Sequence, residues 1–155
     1  MKTILLFLLL SVFWIPLSSE EPSKKAVVWL TDFDEAIKAS KENKKDIFLV
    51  FSGSDWCVNC IKLKKNVLST PAFETFATGQ FNLLVLDFPS NKANALPEKQ
   101  VKKNEAIAEK YNKDGAFPLC IILNSEGKVV GEIKSYTNET PEKYIQLIKD
   151  LQAKK

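Results

Sequence analysis

The sequence contains no histidine, no arginine and only three cysteines among its 155 residues. A structural zinc site needs four ligands, usually cysteine and histidine, so this set argues against zinc, and no metal is expected. Proteins that read nucleic acids or clamp phosphates usually use the planar guanidinium of arginine, so its absence argues against both classes. Three cysteines are also too few for a disulfide-scaffold protein, so a hydrophobic core must supply the stability.

The residues that are present describe an ordinary globular chain. Apolar residues make up 45% of the sequence, which is enough for one domain with a sizeable core. The formal net charge is +3, from 22 lysines against 19 acidic residues that are mixed along the chain. This mixture indicates a solvated surface, and no nucleic-acid partner is expected. The chain has no internal repeat and no low-complexity segment.

Residues 1–19 have the pattern of a secretory signal peptide. Lys2 is followed by an apolar run over residues 4–17 and then by small polar residues. The run is shorter than the roughly 20 apolar residues that a membrane-spanning helix needs. We therefore expect cleavage after Ser19, a single domain over residues 20–155, and a periplasmic or secreted location. An uncleaved membrane anchor is the alternative.

Apolar runs alternate with segments of helical periodicity through the rest of the chain. The predicted order is β-α-β-α-β-α-β-β-α, in which the last two strands form a hairpin. This order predicts an α/β fold with a central mixed β-sheet flanked by helices on both faces. The predicted strands are residues 25–30, 46–52, 80–88, 119–124 and 128–134, with an extended lead-in as the alternative for the first. The predicted helices are residues 31–45, 56–79, 99–112 and 140–152.

The predicted helix 56–79 contains Thr70 and Pro71. This dipeptide predicts a stop, a kink, or the cap and first residue of a continuing helix. Gly79 is expected to end that continuation.

Cys57 and Cys60 form a C-x-x-C pair directly after the predicted strand 46–52 and at the first turn of the next helix. Three interpretations compete: a metal clip, a structural disulfide and a redox dithiol. The missing ligands argue against a metal. A loop this short removes little entropy from the unfolded chain when a disulfide closes it. The strand-to-helix junction of an exported protein therefore favours the redox dithiol.

The start of a helix suggests how the two cysteines divide the reaction. Cys57 would lie near unpaired N–H groups and the positive end of the helix dipole, which stabilise its thiolate. Cys60 would lie one turn further along, where it is shielded. We therefore expect an exposed Cys57 to attack a disulfide and a buried Cys60 to resolve the mixed disulfide that results.

At these residues the chain resembles the thioredoxin superfamily. The matching segments are the strand "DIFLVFS", the motif "DWCVNC" and the later "AFPLCIIL", and the resemblance extends from Trp29 to Leu151. It is similar to exported single-domain thioredoxin-like proteins of bacteria. It is also similar to the C-terminal domain of the membrane thiol–disulfide transducer, whose motif has Trp before and Val after the first Cys. The resemblance implies a thioredoxin fold and thiol–disulfide exchange.

In this superfamily a proline before the fourth strand is cis and faces the dithiol, and the matching residue here is Pro118. An X-Pro bond is the one place where the cis form occurs readily. A trans proline that merely starts the strand is the alternative. The resemblance implies that the backbone of Phe117 pairs with an extended substrate segment. Trp56 is expected to pack beside the dithiol, shield it and contact the substrate.

Two acidic residues of the superfamily are missing. Thioredoxins carry a buried acid six residues before the first cysteine, and the transducer domain carries another seven residues after it. These positions hold Phe51 and Lys64. Asp55 or a water molecule must then accept the proton of Cys60, or its deprotonation is slow. Cys120 is expected to be a buried core thiol, with a regulatory or substrate-linked role as the alternative.

The residues around the pair predict the direction of electron flow. Strong oxidants of the superfamily place a histidine between the cysteines, whereas Val58 and Asn59 carry no charge. Asp55 would make a neighbouring thiolate less stable by like-charge repulsion. We therefore expect a monomeric disulfide reductase or isomerase without a cofactor. Its partners would be exported proteins with disulfides and an upstream reductant, such as a membrane electron transducer. A net disulfide oxidase and a non-redox binding or assembly module are the alternatives.

Overall fold

The structure, a computed structural model, describes residues 27–154. The predicted signal peptide and its cleavage site lie outside these residues. No helix of the described part is both long and apolar enough to cross a membrane. The strands are β1 Trp29–Leu30, β2 Asp46–Ser52, β3 Phe81–Asp87, β4 Leu119–Leu123 and β5 Val129–Lys134. The helices are α1 Phe33–Asn43, α2 Val58–Leu63, α3 Pro71–Gln80, α4 Glu98–Tyr111 and α5 Pro141–Gln152, with a π-helical turn at Lys64–Leu68 and a 3-10 turn at Lys92–Asn94.

The strands form one mixed sheet in the order β1-β3-β2-β4-β5. β1, β3 and β2 run parallel, because helical crossovers connect them, whereas β4 is antiparallel to β2 and β5 is antiparallel to β4. The hairpin between β4 and β5 turns at Gly127, whose φ of 75° is a conformation that glycine adopts without strain. The predicted α/β fold with a central mixed sheet is confirmed.

Both faces of the sheet are buried, as the continuous apolar run of β2 predicts. Phe48 and Val50 lie on one face, where Leu63, Phe73 and Tyr144 of α2, α3 and α5 pack against them. The intervening residues of β2 lie on the other face, against α1 and α4. This second cluster includes Ile47, Leu49, Phe51, Ala36 and Ile107. Because β2 is the middle strand, the loop that follows it starts from the buried centre of the sheet.

Capping residues set the helix starts. The side chain of Asp32 caps α1 by accepting two backbone N–H groups. Thr70 and Thr140 cap α3 and α5 by accepting one backbone N–H each, and Pro71 and Pro141 occupy the first helical positions. The preceding helical segment stops at Leu68, and Thr70 and Pro71 are the cap and first residue of the helix that follows, so both the predicted stop and the predicted cap are observed.

The first predicted strand is observed over Trp29–Leu30, and its first two residues lie outside the described part of the chain. Two helix predictions are wrong. α3 continues through Gly79, because Phe81 enters β3 directly in an extended conformation and no left-handed cap is needed. The helix after the dithiol widens to a π-helical turn at Lys64–Leu68, which a periodicity of 3.6 residues does not indicate.

Candidate active site

The loop that leaves β2 carries the cysteine pair. The N–H of Cys57 donates to the carbonyl of Gly53 at 2.9 Å, which closes a tight turn before α2. Cys57 is the N-cap of α2, and its Sγ accepts the N–H of Cys60 at 3.1 Å. The sulfur therefore takes the place of an N-cap oxygen at the positive end of the helix, where negative charge on sulfur is stabilised.

Cys57 and Cys60 are joined by a disulfide, with their Cα atoms 5.2 Å apart. The pair is thus in its oxidised state. Cys57 is 6% exposed and Cys60 is 3% exposed, so the expected contrast between an exposed and a buried cysteine is wrong for this state.

Trp56 stands directly before the pair and is held by three neighbours. Its Nε1 donates to the carbonyl of Phe88 at 2.7 Å, and its ring centroid lies 5.3 Å from that of Phe117. The indole also covers Gly53 so closely that a Cβ there would lie 2.3 Å from the ring. Trp56 remains 48% exposed. The indole is therefore both a packing residue, as predicted, and an apolar surface beside the disulfide.

Replacing Gly53 by alanine is expected to displace the indole of Trp56, because the new methyl group would lie 2.3 Å from Cε2. The bond from Nε1 to Phe88 would then be lost. A neutral hydrogen bond contributes about 0.5–1.5 kcal/mol, so KM for a protein disulfide should rise about two- to tenfold. Steady-state kinetics and near-ultraviolet circular dichroism would measure both effects.

The matched control for that substitution is Gly79→Ala, since a Cβ at Gly79 meets no atom within 4 Å. This control should leave KM and the aromatic dichroism unchanged. If Gly53→Ala behaved like the control, the close approach of Trp56 to the glycine would not matter for substrate binding.

Asp55 connects the dithiol loop to the segment that follows β3. Its carboxylate accepts the N–H of Ser90 at 2.8 Å, the N–H of Asn91 at 3.0 Å and the side-chain amide of Asn94 at 3.0 Å. These bonds, the one from Ser90 foremost, lower the pKa of Asp55 below its usual value. A carboxylate with a lowered pKa and three donors is a poor proton acceptor. These contacts therefore do not support the expectation that Asp55 takes the proton of Cys60.

The loop before β4 lies beside the dithiol loop. The peptide bond between Phe117 and Pro118 is cis, which confirms the predicted isomer. Leu119 pairs with Phe51 near the end of β2. Because the two strands are antiparallel, Pro118 lies at the edge of the sheet from which the dithiol loop leaves.

Phe117 belongs to an aromatic cluster with Trp56 and Phe88, and its ring centroid lies 5.4 Å from that of Phe88. Within the described part of the chain, no backbone–backbone hydrogen bond uses the N–H or the carbonyl of Phe117. Sequence reasoning missed Phe88, although its place just after a strand parallel to β2 was a usable signal. It also missed Asn112, which is buried and bonds both the N–H and the carbonyl of Ala116.

Val58 and Asn59 form the exposed start of α2 between the cysteines. Val58 is 63% exposed and, together with Trp56 and Ile61, leaves an apolar surface around the disulfide. The two residues that directly separate the cysteines thus place no charge there.

The two positions of the missing acids have different surroundings. Phe51 is fully buried, and its ring centroid lies 6.3 Å from that of Phe88, so the place of the buried acid is part of the apolar core. Lys64 is exposed and lines an open groove beside Cys60. Lys64 thus places a positive charge at a groove that Cys60 also lines.

Cys120 is a buried core thiol, as predicted. It is 1% exposed in β4, and the hydroxyl of Tyr144 donates to its Sγ at 3.1 Å. Burial raises the pKa of Cys120 to about 12, against the smaller lowering effect of that hydrogen bond. The thiol is therefore protonated and unreactive at neutral pH.

Comparison with known proteins agrees with this geometry. A family model described as a thioredoxin-like domain matches residues 33–152. The chain is 35% identical over 112 residues to the disulfide bond reductase DsbH of Chlamydia pneumoniae, a match that covers 72% of this chain and 66% of that protein. It is 32% identical over 123 residues to the thioredoxin-related protein DsbJ of the same organism, covering 79% of this chain and 34% of that protein. The chain thus spans just under two thirds of the first relative and about one third of the second.

Solved structures show the same fold. A structure of the DsbH oxidoreductase superposes with a TM-score of 0.76 at 29% identity, over 90% of this chain and 94% of that one. The oxidised C-terminal domain of Neisseria meningitidis DsbD gives 0.57 at 21% identity, over 79% of this chain and 98% of that one. A thioredoxin from Thermus thermophilus gives 0.58 at 16% identity, over 81% and 86%. The last two likenesses concern the fold alone, and the predicted thioredoxin fold is confirmed.

Proposed function

This chain belongs to the thioredoxin-like family, and from that premise we propose that it is an exported thiol–disulfide oxidoreductase. It reduces, or isomerises, disulfides of exported proteins through Cys57 and Cys60. The observation that carries the proposal is the position of the Cys57 sulfur, at the N-cap of α2 and 3.1 Å from the N–H of Cys60. The name of the relative DsbH, a disulfide bond reductase, supports the reducing direction.

The reaction proceeds by two exchanges and needs no cofactor. In the reduced protein the thiolate of Cys57 attacks a substrate disulfide, so a mixed disulfide forms and one substrate thiolate leaves and takes a proton from water. The thiolate of Cys60 then attacks the sulfur of Cys57. The bond between Cys57 and Cys60 forms, and the second substrate thiolate leaves. Two electrons pass from the cysteine pair to the substrate, and an upstream reductant must return them.

The surface around the disulfide suits an extended substrate segment. Phe117 has backbone groups that no other backbone group of the described chain uses, so they can pair with a substrate strand. Trp56 and Val58 offer apolar contacts on either side of the cysteines. Pro118 holds the Phe117 segment at the edge of the sheet from which the dithiol loop leaves.

The sequence supports the proposed export. The pattern of residues 1–19 is typical of a secretory signal peptide and hence of a periplasmic or secreted protein. A soluble dithiol in such a compartment has no cytosolic reductant at hand, so a membrane electron transducer is the partner we propose.

The redox potential tests the direction. Val58 and Asn59 carry no charge, so the thiolate of Cys57 is less stabilised than it would be beside a histidine. The disulfide form is therefore more stable relative to the reduced form. We expect a potential nearer that of thioredoxin, about −270 mV, than that of the strong periplasmic oxidant, about −120 mV. Equilibration of the pair against glutathione would measure it.

One variant should shift the redox potential, and two outcomes would contradict the proposed reducing direction. Asn59→His should make the couple more oxidising, because an imidazolium favours the thiolate of Cys57. A wild-type potential above that of protein disulfide isomerase, about −180 mV, would favour a net oxidase instead. Slow exchange that does not respond to the glutathione ratio would favour a binding or assembly module in which the dithiol is incidental.

A further inference from the structure

The resolving step of the proposed reaction requires a thiolate at Cys60, and the structure removes the usual means of producing one. Phe51 occupies the place of the buried acid and is part of the core. The carboxylate of Asp55 is engaged with the segment after β3. Other groups around Cys60 must therefore permit its ionisation.

A groove of about 390 Å³ opens beside Cys60, between the end of β2 and the π-helical turn. Three serines and two lysines stand among its lining residues, which include no carboxylate within the described chain. They are Ser52, Ser54, Cys60, Ile61, Lys64, Lys65 and Ser69. The groove is open and large enough to hold water, which can bond these hydroxyl and ammonium groups and carry the proton of Cys60 to solvent.

Lys64 is placed at this groove by the local helix geometry. It lies four residues after Cys60, and side chains at that spacing lie on the same face of a helix. Its N–H donates to the carbonyls of both Cys60 and Ile61, at the point where α2 widens into the π-helical turn. Such turns occur frequently at functional sites.

Other titratable groups lie on this side of the sheet. From β3, Asp87 accepts both the N–H and the hydroxyl of Ser54, which lines the groove, so its negative charge opposes the lysines in part. From β4 and α5, Cys120 and Tyr144 are buried and neutral, since burial raises the pKa of each. Lys65 adds a second positive charge from the same turn as Lys64.

We propose that Lys64 stabilises the thiolate of Cys60 across this groove and so replaces the missing acid in the resolving step. This inference rests on the proposed function. Cys60 loses its proton to water in the groove, and its sulfur attacks the sulfur of Cys57. The Cys57–Cys60 bond forms, the bond from Cys57 to the substrate sulfur breaks, and the electron pair leaves with the substrate thiolate. A nearby positive charge favours the ionised form of the Cys60 thiol. The missing acidic residue would act differently, because its carboxylate would accept the proton of Cys60.

The test measures the thiolate of Cys60 directly, in a Cys57→Ser background in which it is the one titrating thiol of the pair. Cys120 does not interfere, because its pKa of about 12 keeps it protonated. The ultraviolet absorbance of the thiolate, followed against pH, gives the midpoint of ionisation. Adding Lys64→Gln should move this midpoint to higher pH and lower the rate of Cys60 alkylation at neutral pH several-fold. The difference should shrink at high salt, which screens exposed charges.

Lys62→Gln is the matched control, since Lys62 is exposed on α2 and does not line the groove. It should leave the midpoint unchanged. An equal shift in both variants, or no shift with Lys64→Gln, would overturn the proposal.

Lys64→Glu separates charge stabilisation from proton transfer, because it restores an acid at the position where the transducer domain has one. Our proposal predicts slower release of a substrate thiolate from the mixed disulfide with glutamate than with glutamine. Faster release with glutamate would show that a proton acceptor was limiting and would overturn it. The titration involves no substrate, so it tests Lys64 independently of disulfide reduction. If the ionisation midpoint of Cys60 depended on Lys64 but the protein reduced no disulfide, only the proposed function would be refuted.

Discussion

Cys57→Ser is expected to lower disulfide reduction by about a thousandfold or more, since removal of a nucleophile that acts with its partner as a unit abolishes most of the rate. The reason is structural. Cys57 is the cysteine whose sulfur accepts a helix N-terminal N–H, so its thiolate is the one stabilised for attack. Reduction of insulin disulfides by the protein, driven by a chemical reductant, would measure the loss.

Two further serine variants serve as controls for that result. Cys60→Ser should retain the first exchange and accumulate mixed disulfides with the substrate, visible on a non-reducing gel. Cys120→Ser should retain most activity, because Cys120 is buried against Tyr144 and takes no part in exchange. If the reduced protein were alkylated at Cys60 before Cys57, the assignment of the nucleophile would be reversed.

Phe48→Ala should lower the free energy of unfolding by about 3–5 kcal/mol, which is the usual effect of truncating a buried phenylalanine. Phe48 is 0% exposed in the middle strand, and its ring centroid lies 5.7 Å from Phe73 and 5.8 Å from Phe81. The loss is a large part of the about 5–15 kcal/mol that stabilises a typical domain. Urea unfolding of the reduced protein would show it as a lower midpoint.

Phe48→Leu is the conservative control for this prediction. It keeps the site apolar and fills most of the cavity, so it should cost well under half as much as alanine. An alanine variant within about 1 kcal/mol of the wild type would mean that Phe73 and Phe81 collapse into the space, and that this cluster is less tightly packed than its ring contacts indicate.

Local signals in the sequence were sufficient wherever one element decides its own structure. β2 follows from the uninterrupted apolar run 47–51, because a strand buried on both faces shows no alternation. The caps at Thr70 and Thr140 follow from residue types that bond their own helix N-terminus. The π-helical turn at Lys64–Leu68 did not follow, since its pattern of apolar and polar residues is that of an ordinary helix.

In the candidate site, too, some features follow from the sequence and others depend on the tertiary structure. The sequence by itself determined that Cys57 and Cys60 lie at a strand-to-helix junction, because the strand, the motif and the helix are contiguous and their order sets the geometry. Its resemblance to a known family placed Trp56, Phe117 and Pro118 beside them.

Only the tertiary structure decided what the neighbouring charges do. Lys64 shares a groove with Cys60, which lies four residues before it on the same helix. Asp55 bonds the segment after β3, and the carbonyl of Phe88 accepts the indole N–H of Trp56. The last two contacts join residues from different strands and loops. Their distances depend on how the sheet orders its strands, and a linear pattern of residue types carries no information about those distances.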